Sequence, residues 1–306
     1  VKRDILLAYI ALAAICIIWG TTYLALRIAV VNFPAFLFTA LRQTIAGVML
    51  LAFGFFINKA GWPSLKLVVS QAIAGFFMIT LGNGLVAWAE MYIPSGIAAI
   101  ICSLMPMVVI LMNIAINKEE KPNVPIVTGV MIGMLGIVLI FSEHLGDFSN
   151  SQYVTGIIAT LVAVLGWAGA SIWMKKQGSK SNIYYNAGLQ MFFGGLWLYP
   201  LSLMYDDYSL ISFTAGSVYP FIYLVFIGSI VAYLSYQYAL RKLPMTIVSL
   251  YAYINPLVAA LLGWLVLGEK LNSKIGVAFL ITVAGIYLVN RGYQMLKEYR
   301  TELSQR

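Results

Sequence analysis

Read for its hydrophobic and polar positions, the chain is a succession of long apolar runs separated by short polar breaks. Ten runs stand out: 5–26, 34–57, 67–89, 94–116, 124–141, 154–173, 184–204, 218–240, 245–267 and 275–291. About 20 apolar residues carry a helix across ~30 Å of hydrocarbon. The runs reach or approach that length, with 124–141 and 275–291 the shortest. The breaks hold residues that end or start helices: Asn58 to Pro63, Asn117 to Pro125, Ser142 to Ser151 and Lys175 to Asn182. None has room for a soluble domain. The pattern predicts an all-α integral membrane protein of ten transmembrane helices. Lys2 and Arg3 ahead of the first run resemble the start of a signal peptide. That run continues to Leu26 with no small-residue cleavage site after it, so it reads as a retained helix.

Composition agrees. Of 306 residues, 61% are hydrophobic and only 10% charged, against about 25% charged in a typical soluble domain. Such a chain cannot cover a water-facing surface, so the lipid bilayer is its main partner. The net charge of +8 forms no basic face and no basic-aromatic interleaving, which argues against nucleic acid. Instead, Lys and Arg flank the apolar runs, as topology determinants do. With the N-terminus placed inside, fifteen of the nineteen fall on the inner side. Only Arg27, Lys270 and Lys274 fall outside, and Arg42 lies within a helix. This predicts a multi-pass plasma-membrane protein with both termini cytoplasmic. Cys16 and Cys102 both lie in apolar runs and read as small hydrophobes rather than a disulfide.

An internal repeat organises the chain. Pro94 and Pro106 recur 150 residues later as Pro244 and Pro256, and Glu119 as Glu269. Gly136-Ile137 recurs as Gly285-Ile286 and Trp19 as Trp167, at nearly the same spacing. Each half holds five helices. Because five is odd, the second half enters the membrane from the opposite side, which makes an inverted repeat. The predicted units are 1–146, 151–293 and a cytoplasmic tail, 294–306.

At these landmarks the sequence resembles the drug/metabolite transporter superfamily, specifically its bacterial EamA-type exporters. The resemblance is carried by an ordered set of residues. In the first half these are Trp19-Gly20, Pro34 with Arg42, Tyr92 to Ile100 leading to Pro106, Glu119, and Gly129 to Gly136. In the second they are Trp167, Pro256, Gly263, Gly268-Glu269, Gly276 and Gly285. It implies helices 1–4 and 6–9 around a central cavity, with helices 5 and 10 bracing it outside. It also implies export of amino acids, metabolites or xenobiotics, with the bacterial inner membrane as the location. The second-half counterpart of Arg42 falls near Gln190, so any role of that charge is one-sided.

Several residues are candidates for chemistry. A cation inside a span costs about 2.5–3.5 kcal/mol on insertion scales, so Arg42 should face the bundle or an aqueous cavity. It fits either an anchor for a substrate carboxylate or a structural role on helix-end carbonyls. Glu90 fits a coupling group, a partner of Arg42, or a headgroup-level carboxylate. Pro106 and Pro256 each remove a backbone hydrogen bond in mid-span, which is tolerated beside a cavity and marks them as gating candidates. Trp19, Tyr23, Asn83, Trp88, Trp167, Asn186, Gln190, Tyr233, Gln237 and Asn255 combine stacking surface with amide and hydroxyl groups, as a ligand pocket requires. Gly129, Gly133 and Gly136, and Gly276 and Gly285, suit close helix packing or an interface between protomers, so a monomer or weak homodimer is expected.

A membrane-embedded enzyme is disfavoured. The single histidine, His144, lies in a loop, and no intramembrane pair of aspartates or nucleophile elbow occurs. Asp206-Asp207 lacks further metal ligands and reads as a solvated loop, so neither metal nor cofactor is expected. A channel or receptor is disfavoured because no charged ring or pore loop appears. Without a phosphate-binding loop, transport of a small-molecule substrate would be secondary, driven by a proton or solute gradient.

Overall fold

The computed structural model describes residues 2–57, 61–116, 123–143, 149–177, 182–243, 245–249, 251–268 and 273–305. Glu119 and Glu269 with their neighbouring lysines, Pro244, His144 and Asp147 lie outside the described residues.

Each predicted run is a helical rod: α1 (Lys2–Val30), α2 (Ala35–Ile57), α3 (Leu65–Ala89), α4 (Ser95–Cys102 and Met105–Ile116), α5 (Val124–Glu143), α6 (Ser151–Gln177), α7 (Ile183–Leu196 and Leu198–Tyr205), α8 (Ala215–Lys242), α9 (Met245–Val248 and Tyr251–Leu267) and α10 (Ser273–Gln305). No strand occurs among the described residues. Among them, seven helices are long and apolar enough to cross a bilayer by length and composition, and Val124–Gly136 and Ile254–Leu267 are shorter apolar helices. Of the other three rods, α7 and α9 are each described as two helical stretches. Residues 294–305 of the predicted tail continue α10 as helix.

Local chemistry sets the helix starts. The Asn182 amide oxygen accepts from the Tyr184 N–H at 2.8 Å, and Asn123 accepts from the Ile126 N–H at 3.2 Å. The first turn of α2 is capped from the far end of α7. Asp206 accepts from the Leu37 N–H at 2.7 Å and the Phe36 N–H at 3.3 Å, so it is a cap rather than a merely solvated loop residue.

Equivalent helices of the two halves run antiparallel. Along α2 and α7, Gly54 faces Tyr184 and Tyr185, Gly47 faces Gly188 and Phe192, and Gly195 faces Ala40 and Thr44. Along α5 and α10, Asn123 donates to the Gly292 carbonyl, Gly129 faces Gly285 and Val289, and Gly136 faces Ala278 and Thr282. As numbers rise on one helix they fall on its mate. The fold is therefore two inverted repeats. A Cβ on Gly129 would sit 2.5 Å from the Gly285 carbonyl oxygen, and one on Gly285 would sit 2.3 Å from the Gly133 nitrogen. These glycines are used up in packing α5 on α10 within one chain, not in an interface between protomers. Gly276 is open, with nothing within 4 Å of its would-be Cβ.

Candidate functional site

Between the halves lies a cavity of about 100 Å³, lined from α1, α2, α3, α4, α6, α8 and α9. The expected set of helices is present except for α7. The cavity runs from mid-bundle toward one end. The other end, termed the basic end here for Lys175, Arg241 and Lys242, is filled by the largest hydrophobic core. That volume has room for several waters. Ligand pockets commonly measure ~300–1,000 Å³, so a whole solute requires the cavity to widen.

Trp19, Tyr23, Arg42, Asn83, Trp167 and Asn255 line it. The symmetry-related Trp19 and Trp167 meet edge to face at 5.5 Å, and Trp19 packs on Tyr251 at 4.9 Å and Tyr236 at 5.3 Å. This aromatic group is the cavity floor. Trp19 Nε1 donates to the Gly228 carbonyl at 3.3 Å. The Asn255 amide, with its nitrogen toward the acceptors, donates to the Cys16 and Tyr251 carbonyls at 2.8 and 2.9 Å, tying α9 to α1.

Arg42 is 4% exposed and faces the cavity. Its Nη2 donates to Asn83 Oδ1 at 3.4 Å, a long bond, and its Nε has no partner among the described residues. A guanidinium carries five donors, and burying one underused is costly. Glu90 is fully buried at the end of α3. Arg27 donates to the backbone carbonyl of Glu90 near the same end. Glu90 itself does not line the cavity.

The prolines sit where their effect reaches the cavity. A proline at position i leaves the carbonyl of i−4 without its helical donor. For Pro106 and Pro256 these carbonyls belong to Cys102 and Ala252, and both residues line the cavity. Met105 alone separates the α4 break at Ser103-Leu104 from Pro106, which sits in the first turn of the second stretch.

Five sequence candidates lie elsewhere. Trp88 stacks on Phe36 at 6.2 Å and meets Tyr92 at 5.0 Å, an aromatic brace at the end of α3. Asn186 is buried on α7, one turn before Gln190. Gln190, Tyr233 and Gln237 form a separate buried cluster toward the basic end. The Gln190 oxygen accepts from Tyr233 OH at 2.5 Å and from Gln237 Nε2 at 2.7 Å, while its nitrogen donates to Gln71 Oε1. The amides satisfy one another, which takes them out of the pocket.

Sequence reasoning missed Gln71, although a lone amide early in an apolar run is a visible signal. It also missed the π-helical stretches: Phe53–Ile57 in α2 and, at equivalent places in the two halves, Phe76–Gly84 in α3 and Leu224–Val231 in α8. The latter two matter here. They bring Gly82, Asn83 and Gly228 to the cavity, in keeping with the frequent occurrence of π turns at functional sites. No group of three or more His, Cys, Asp or Glu able to hold a metal occurs among the described residues.

Residues 6–142 and 154–291 each match the EamA-like transporter family. The chain is 31% identical over 300 residues to the uncharacterized inner membrane transporter YedA of Escherichia coli K12, covering 95% of this chain and 92% of that one. It is 29% identical over 281 residues to protein PecM of Dickeya dadantii, covering 90% and 91%. It is 22% identical over 280 residues to the uncharacterized transporter YoaV of Bacillus subtilis, covering 91% and 95%. A solved crystal structure superposes with a TM-score of 0.69 at 16% identity, covering 94% of this chain and 98% of that one, a likeness of fold.

Proposed function

This chain belongs to the EamA-like transporter family, and we propose that it is a secondary transporter exporting amino acids, small metabolites or amphipathic xenobiotics across the plasma membrane by alternating access. Carboxylated solutes are the leading class. As a family member it is a multi-pass membrane transporter; cargo, direction and coupling are the proposed part. The observation that carries the reading is Arg42, buried, underbonded and facing an otherwise largely apolar aromatic cavity between inverted halves. One guanidinium suits one carboxylate, and the Trp19, Trp167 and Tyr251 surfaces suit an apolar or aromatic body. A strongly anionic solute would need more buried cations. The outward direction rests on the sequence resemblance to exporters. Glu90, a fully buried acidic residue at the end of α3, is the candidate coupling group.

The test is purified protein in vesicles loaded with labelled amino acids, other small carboxylic acids, their amides, and amphipathic cations, with and without a proton gradient. Saturable efflux of carboxylated members, faster than that of their amides, is expected. A panel in which nothing moves above protein-free vesicles sinks the reading.

A further inference from the structure

Two pairs of residues separated by 148 positions occupy symmetry-related places in the halves: Arg27 with Lys175, and Arg42 with Gln190. The first pair does the same job twice. Lys175 on α6 donates to the Leu240 and Leu243 carbonyls where α8 ends, and Arg27 on α1 donates to the Glu90 carbonyl where α3 ends. A cation on terminal carbonyls also meets the negative end of the helix dipole. Because the halves are inverted, the two clamps lie at opposite ends of the bundle.

The second pair is in opposite states. Gln190 is fully buried, with both of its amide atoms engaged by Gln71, Tyr233 and Gln237. Gln71 belongs to the first half and the others to the second, so this cluster sews the halves together at the packed basic end. The backbones are nearly in contact there, since a Cβ on Gly75 would lie 2.3 Å from the Gln190 carbonyl oxygen. Arg42, at the mate position, stands at the open end with one long bond to Asn83 and a free Nε. One hub is closed and its twin is open. In an inverted-repeat protein, letting each half take the conformation of the other produces the state open at the opposite end.

We propose that Gln190 and Arg42 are the hubs of two alternating polar gates. The Gln71–Gln190–Tyr233–Gln237 cluster shuts the basic end while Arg42 is free to hold an anionic group in the cavity. Closure around Arg42 accompanies release of the Gln190 cluster. This rests on the alternating-access reading above. Interhelical side-chain hydrogen bonds in membranes are worth on average ~0.6 kcal/mol and up to ~1.7. A cluster of three such bonds is therefore strong enough to bias the bundle and weak enough to open during a cycle.

The test needs no known solute. Met174, whose sulfur accepts from the Gln190 amide at 3.1 Å, is replaced by cysteine as a probe of the basic end. The native Cys102, which lines the cavity, reports the other. Both are labelled with a maleimide and read by mass spectrometry in Met174→Cys and in Met174→Cys with Gln71→Leu. The gate predicts that Gln71→Leu raises labelling at position 174 about tenfold and lowers it at Cys102. Unchanged labelling at 174 overturns the proposal. A rise at both sites marks a loosened fold and overturns it as well. In a second arm, Gln71→Cys with Gln190→Cys is oxidised to lock the basic end and then reduced. Once a solute has been found, transport by the double variant should fall at least tenfold on oxidation and return on reduction, while each single variant, whatever its own rate, should not respond to the oxidant. A crosslinked protein that transports at the full rate refutes the gate without touching the transport assignment. A failed solute panel leaves the labelling result intact.

Discussion

Arg42 concentrates the chemistry of this protein in a single side chain, because it is a buried cation with bonding capacity unspent. Hydrogen bonds to charged groups contribute about 1.5–3 kcal/mol, so losing one to a carboxylate should raise the half-saturation concentration roughly ten- to hundredfold. Arg42→Gln is expected to remove transport of acids while sparing expression and the movement of uncharged solutes. Arg42→Lys should retain part of it, keeping the charge without the planar fork. Equal loss for every solute with a lower melting temperature would assign Arg42 to structure instead. The cavity-facing position of Arg42 was legible because a lone charge in an apolar run has few tolerable positions. Gln190 was not, although it also stood out as polar: its partner Gln71 lies 119 residues away, and no local pattern says whether an amide faces a ligand or another amide. Trp88 misled for a related reason, since an aromatic near a helix end stacks as readily on Phe36 as on a solute.

At the level of helices, apolar run length and proline position located the rods well, and the freed carbonyls at Cys102 and Ala252 follow from Pro106 and Pro256 alone. The π-helical stretches were invisible, because hydrogen-bond register does not alter a run that is apolar all round. Glycine spacing pointed to close packing but left its partner open; the geometry assigns α10 to α5. That contact makes a stability prediction. A side chain on Gly129 drives into the Gly285 carbonyl, so Gly129→Val should cost about 1–3 kcal/mol through overpacking. Gly276→Ala has open space and should be neutral or gain up to about 1 kcal/mol from the lower helical cost of alanine. Melting temperatures of the two detergent-solubilised variants separate these outcomes. A Gly129→Val protein that melts with the parent would mean that the α5–α10 contact contributes little.

The whole molecule is a symmetric frame carrying asymmetric chemistry. Antiparallel packing of α2 on α7 and of α5 on α10 builds the frame, while a guanidinium at position 42 against an amide at 190 differentiates its ends. The frame was readable from repeated prolines, glycines and tryptophans, because duplication preserves packing residues at constant spacing. Orientation rests on a different signal, the bias of Lys and Arg in the loops. The structure adds a geometric cue carried by two of those same residues. Lys175 reaches the last carbonyls of α8, and Lys242 pairs with Asp4 at 3.1 Å, so the start of α1 and the finish of α8 share the basic end. If that end is cytoplasmic, α6 must finish inside and α10 must return there as well. Reporter fusions after Lys180 and at the C-terminus should then read cytoplasmic, and a fusion after Asp147 external. Replacing Lys175, Arg241 and Lys242 together by glutamine should weaken the bias and yield mixed topologies, whereas replacing Lys274 should leave it unchanged. An external C-terminus in the parent chain would overturn the ten-span count, and a cytoplasmic reading after Asp147 would break the inversion on which both gates depend.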